Sequence, residues 1–215
     1  MTSIRFIAYS DYLCPWCWNA SRRLLRLEEE FEGRIAIEWR SYLLRPTKRT
    51  HRDIEKFRRY TESWSRPAEE ADAGDFRTWR SDASPPTHSV PPHCAAKAAA
   101  RLSKEAFRAF HQKLMVAYFS ENRDISNRDE LLALWTDLGL AEDAFAAMDS
   151  EEVEAEVMRD FEEAKSLGAT GVPGLRRADN DIIIVGAQPE SVYRRWFEKS
   201  LADGIVTPSF EPAIA

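Results

Sequence analysis

Apolar residues crowd two short stretches near the start of the chain, Ile4-Arg5-Phe6-Ile7-Ala8-Tyr9 and the alternating Ile35-Ala36-Ile37-Glu38-Trp39. Each predicts a short strand. Between them Trp18, Leu24, Leu25, Leu27 and Phe31 recur at helical spacing, and Gly33 stops the helix they predict. Strand, helix and strand within about 40 residues is βαβ length, so the two strands are expected to run parallel.

From Pro46 to about Gly168 the pattern changes to successive helical periods with no convincing strand. Phe107, Phe110, Leu114, Met115, Tyr118 and Phe119 define one wide apolar face. Leu131, Leu132, Leu134, Trp135 and Leu138 mark another helix, capped by Ser126 or Asn127, and Val153, Val157, Phe161 and Ala164 a third that ends near Gly168. The proline- and charge-rich stretch between Ser63 and Pro92 predicts no firm structure and reads in part as a mobile loop. Strand signals return at Val172 to Arg176 and Ile182 to Val185, with Ala178 to Asp181 as the turn of a hairpin. A helix through Val192, Tyr193, Trp196, Phe197 and Leu201 follows, then a proline-containing tail, frayed or packed as an arm.

The 215 residues are 44% hydrophobic, enough for one elaborated domain with a sizeable core. A formal net charge of −6 argues against nucleic acid as a partner, and the local clusters Arg22-Arg23 and Arg58-Arg59 read as solvated helix faces. The run Glu28 to Glu30 with Glu32 reads the same way. No apolar stretch approaches the roughly 20 residues that span a bilayer. Met1-Thr2-Ser3 leads straight into the first strand, so the expected address is the cytoplasm.

Chemistry concentrates at Cys14-Pro15-Trp16-Cys17, where the first strand gives way to the helix. A helix N-terminus offers unpaired N–H groups and a partial positive charge, both of which stabilise a thiolate, so Cys14 is the expected nucleophile. Pro15 suits the first helical position because its missing N–H has no intrahelical partner to lose. Cys17, about one turn on, can attack a mixed disulfide formed on Cys14 and release it. Three cysteines make an odd set, unlike the framework of a small secreted domain. A zinc site would need two further ligands, and the adjacent His93 and Cys94 chelate one ion poorly, so no metal is expected. Cys94 reads as a small buried residue, His111 as a core histidine, and His93 either as a group that tunes Cys14 or as a surface residue at a helix start. Nucleotide loops and hydrolase motifs are missing from the sequence.

The order of these features resembles the thioredoxin-like proteins of DsbA type, and within them the FrnE branch of DsbA-like oxidoreductases. Asp11-Tyr12-Leu13-Cys14-Pro15-Trp16-Cys17, Ala117-Tyr118-Phe119, Asp124-Ile125 and Gly168-Ala169-Thr170-Gly171-Val172-Pro173 carry the likeness. It implies an α/β thioredoxin-like domain from residues 1–45 and 169–204, a helical domain inserted at 46–168, and a tail at 205–215. It also implies a cis bond between Val172 and Pro173 against the dithiol, the Val172 backbone pairing with an extended substrate and Pro173 covering the cysteines. Three departures stand out: Gly174-Leu175 follows Pro173 where relatives commonly have Thr-Phe, His93-Cys94 replaces a His and a basic residue, and the additional cysteine motif of some FrnE proteins is missing.

The implied activity is that of a cytoplasmic thiol–disulfide oxidoreductase, a protein disulfide reductase or isomerase. It needs no cofactor beyond the Cys14–Cys17 pair, with glutathione as a conceivable co-substrate. Partners would be disulfide-containing proteins or small thiols, with no nucleic acid and no membrane; a homodimer is compatible with the pattern. The alternative is a glutathione-dependent isomerase or transferase on a small aromatic compound, which would not need Cys17. A client-holding module built on the helical insertion is a third reading.

Overall fold

In the computed structural model, which describes residues 3–203, the first strand, β1 (Ile4–Ser10), leads into α1 (Pro15–Glu30) and then β2 (Ile35–Ser41). The two strands pair in parallel, Ile4 opposite Ile35 and Ser10 opposite Ser41, because the crossover helix carries the chain back to the end of the sheet where β1 began. Gly33 ends the crossover at a positive φ of 77°, a conformation that costs glycine nothing.

Seven helices follow: α2 (Ile54–Thr61), α3 (Ser65–Ala68), α4 (Val90–Leu102), α5 (Lys104–Phe119), α6 (Arg128–Asp137), α7 (Glu142–Phe145) and α8 (Glu151–Ser166). Asp53, Ser103, Asn127 and Ser150 cap four of them by accepting backbone N–H bonds, each worth about 1 kcal/mol. Asn127 rather than Ser126 takes the capping role because the Ser126 hydroxyl accepts from the Thr87 N–H and donates to Asp124. The chain then returns to the sheet as β3 (Gly174–Arg177), antiparallel to β1, and β4 (Ile183–Val185), antiparallel to β3. The order is β2-β1-β3-β4, and α9 (Glu190–Asp203) closes the described chain. The predicted strand at Val172 begins two residues late, at Gly174, since Pro173 has no N–H to give the ladder. The expected tail, 205–215, lies outside the described residues.

Two apolar clusters meet at α1. Leu24, Leu27 and Phe31 pack with Phe6, Ile35, Ile37, Tyr193 and Phe197 between sheet and α9. Near its N-terminus, Cys17 and Trp18 join the larger helical core with Phe110, Leu114, Phe119 and Trp135. The dithiol helix is thus wedged between the sheet and the helical layer.

Of the stretch read as loop, Ser65–Ala68 and the residues from Val90 are helical, and the chain between them is irregular but anchored. Trp79 is buried, its N–H donates to Thr61 Oγ1 at 2.9 Å, Arg77 N–H donates to the Phe119 carbonyl at 2.8 Å, and Arg80 N–H to Asn122 Oδ1 at 2.8 Å. Gly74 presses on the Trp18 ring so closely that a Cβ there would overlap it. Gly74→Ala is therefore expected to lower stability by about 1–3 kcal/mol, as overpacking does, in a chemical unfolding series; an unchanged midpoint would contradict the contact.

Two charge readings need correction. Arg23 is 3% exposed, not solvated: its guanidinium donates to both oxygens of Asp72 and to Glu70. Glu28 is 4% exposed; it accepts from the Ile37 N–H and from Lys104 and Arg108, and these donors hold its carboxyl below the usual range despite burial.

Candidate active site

Cys14 is the N-cap of α1, with extended dihedrals (φ −98°, ψ 113°), and Pro15 occupies the first helical position. The Cys17 N–H donates to Cys14 Sγ at 3.3 Å, and the Cys14 thiol donates to the Val172 carbonyl at 3.6 Å. A sulfur capping a helix is held by the N–H groups and dipole that stabilise a thiolate. The Val172–Pro173 bond is cis. Cys14 is 5% exposed, Cys17 fully buried, and both are free thiols. Burial first, and then the hydrogen bond and charge of neighbouring Cys14, push the Cys17 thiol well above its ordinary value. Cys17 therefore stays protonated in the resting dithiol, and Cys14 is the sulfur placed at the helix cap. Trp16 lies half-buried at the edge of the helical core.

Asp11, fully buried, holds the turn into this helix. One carboxylate oxygen accepts the Leu13 N–H at 2.8 Å; the other accepts the Leu44 N–H at 2.5 Å and the Ser89 hydroxyl at 2.7 Å, while the Asp11 carbonyl accepts the Cys14 N–H. One side chain thereby ties the dithiol turn to the segment after β2 and to the start of α4. Burial raises its pKa to about 6, against hydrogen bonds that lower it. A carboxyl whose folded pKa lies above its unfolded value costs stability when ionised, so the penalty is full above about pH 6 and is relieved as pH falls toward 4. Relative to Asp11→Asn, the wild type should gain on the order of 3 kcal/mol between pH 7 and pH 4 in urea unfolding; a flat difference would contradict the burial.

His93 is buried beneath the site rather than on the surface. Its Nε2 stands 3.9 Å from Asp11 Oδ1 and its ring 4.8 Å from that of Tyr12, while burial lowers its pKa to about 3. It is neutral at physiological pH and makes no hydrogen bond through Nε2 to Asp11. His111 is a satisfied core histidine: Nδ1 pairs with the Tyr12 hydroxyl at 2.9 Å and Nε2 with Ser21 Oγ at 2.6 Å. Cys94 is buried, and burial pushes its thiol up to about 12, so it is inert. Among the described residues no group of three or more His, Cys, Asp or Glu could hold a metal ion, and no helix is long and apolar enough to cross a membrane.

Sequence reasoning named Asp11 only as the first residue of the motif that carries the family likeness, with no role of its own, and did not single out Ser89. The one available signal was an aspartate three residues ahead of Cys14, at the end of a buried strand, where an unpaired carboxylate would be costly.

The sheet order, the parallel β1–β2 pair around α1, the hairpin and the helices between them define a mixed α/β thioredoxin-like fold of DsbA type. The chain matches the DSBA-like thioredoxin domain over residues 5–196 and belongs to that family. Among solved structures it is similar to the cytosolic disulfide reductase DsbM from Pseudomonas aeruginosa, at 24% identity and a TM-score of 0.75, covering 94% of this chain and 100% of the other. The same protein with GSH aligns at 24% identity and a TM-score of 0.74, covering 93% and 100%. The thiol-disulfide exchange protein alpha-DsbA2 from Wolbachia pipientis aligns at 17% identity and a TM-score of 0.59, covering 92% of this chain and 82% of the other. No curated protein matches.

Proposed function

We propose that this chain is a cytoplasmic thiol–disulfide oxidoreductase that reduces or isomerises protein disulfides. The observation that carries the reading is the pair itself: Cys14 capping α1 with the Cys17 N–H on its sulfur, and the Val172 carbonyl 3.6 Å away. The Cys14 thiolate attacks one sulfur of a substrate disulfide, forming a mixed disulfide and releasing the other sulfur as a thiolate. Cys17 loses its proton and attacks Cys14 Sγ, closing the Cys14–Cys17 disulfide and freeing the second substrate thiol. Two equivalents of a small thiol such as glutathione, oxidised to its disulfide, return the pair to the dithiol. An extended substrate would align along the Val172 backbone, with Pro173 and Trp16 flanking the sulfur.

Direction follows from potential. Known pairs span about −270 to −120 mV, and the cytosolic glutathione poise lies at roughly −220 to −320 mV, so a pair near −200 mV rests reduced in that compartment. The test is dithiothreitol-driven reduction of insulin. Acceleration by the reduced protein supports the reading; none from a folded, fully reduced protein overturns it.

A further inference from the structure

A basic groove opens beside the dithiol. Its inner part, of about 270 Å³, is walled by Leu13, next to Cys14, with Leu44, Tyr60 and Tyr118; its outer part, of about 360 Å³, continues past His51 to Lys56. Arg45, Arg49, Phe57 and Tyr60 line both parts. Four cationic side chains, Arg45, Arg49, Arg52 and Lys56, face a single carboxylate there, Asp53, in a chain whose net charge is −6. No carboxylate lies within ion-pair distance of Arg45, Arg49 or Lys56 among the described residues. Asp53 accepts the Lys56 N–H and so caps α2, which leaves the side chains rather than the helix end to hold an anion. Leu44 and Tyr60, 48% and 49% exposed, give the groove apolar walls amid its charge.

We infer that this groove receives an acidic, extended segment of a disulfide-bearing protein and so selects substrates whose cystine is flanked by carboxylates. The inference rests on the oxidoreductase reading and names its substrate class. Arg45, Arg49 and Lys56, strung over two connected hollows, exceed what the two carboxylates of a glutathione unit can use, whereas a peptide with several acidic side chains can meet them all; Arg52 is already committed to the Pro86 carbonyl and the Phe57 ring. A local positive field on an acidic protein also draws acidic segments to this edge of the site and repels them elsewhere.

The test uses two cystine peptides that differ only in flanking Glu or Gln residues, with oxidised glutathione as a third substrate. Each is reduced by the wild type and by the doubly substituted Arg49→Glu, Lys56→Glu protein, whose altered side chains are exposed. At about 20 mM salt the wild type should reduce the Glu peptide roughly tenfold faster than the Gln peptide, with the gap closing near 0.5 M. The double substitution should erase or invert that preference while leaving the Gln peptide within about twofold. Equal rates for both peptides, equal loss on both, or a loss confined to oxidised glutathione would overturn the inference and leave the oxidoreductase reading intact. Reduction of neither peptide by the wild type would overturn both.

Discussion

Replacing Cys14 with serine should return dithiothreitol-driven disulfide reduction to the uncatalysed rate, a loss on the order of a hundredfold or more, while the fold persists. The asymmetry between the two sulfurs makes this sharper than a generic loss of a motif. Cys14 sits at the helix cap with the Cys17 N–H on its sulfur, whereas Cys17 is fully enclosed and its thiol is held protonated by burial. Cys17→Ser should therefore retain attack and stall after it, accumulating the mixed disulfide. Cys94→Ala should leave the rate within about twofold, because that thiol is buried in α4 and pushed up to about 12. Full activity in Cys14→Ser, or equal and silent loss in both single variants, would contradict the assignment of nucleophile and resolving group.

Phe119→Ala should be among the most damaging core substitutions, costing about 3–5 kcal/mol. The Phe119 ring is fully buried, lies nearly parallel to Trp18 with centroids 5.6 Å apart, and meets Trp64 edge-on at 4.9 Å and Phe76 at 5.3 Å. Trp18 is the residue after Cys17, so this aromatic cluster is the seam by which the helical layer holds the N-terminal turn of the dithiol helix. The backbone has a stake as well, since the Phe119 carbonyl accepts the Arg77 N–H that anchors the irregular segment. Urea unfolding of the reduced protein measures the loss; a change below about 1 kcal/mol would mean that the seam does not bear on stability.

Most of the framework was legible because local pattern and tertiary role agree. The β1–α1–β2 unit, the long faces of α5 and α8, the hairpin and α9 each carry apolar periodicity of the right kind, and buried Phe6, Phe110, Val157 and Phe197 satisfy it. What was not legible depends on partners distant in sequence. Arg23 and Glu28 look like surface charge until Asp72, Glu70, Lys104 and Arg108 are brought to them. Asp11 is an ordinary residue in sequence; its burial is tolerable only because donors arrive from Leu44 and Ser89. The stretch around Trp79 has no period to read, since its order comes from single hydrogen bonds to Thr61, Asn122 and Phe119. At the site, Cys14 and Cys17 announce themselves by spacing and position. The approach of Val172, 158 residues away, could be anticipated only through resemblance to relatives.

Bond formation between Cys14 Sγ and substrate can be trapped. The reduced Cys17→Ser protein is mixed with a cystine peptide, quenched in acid, digested without reductant and mapped by mass spectrometry. The expected product is one adduct of half the peptide, on the fragment carrying Cys14, formed in step with release of one equivalent of peptide thiol. An adduct on Cys94, or no adduct from a folded and fully reduced protein, would contradict it.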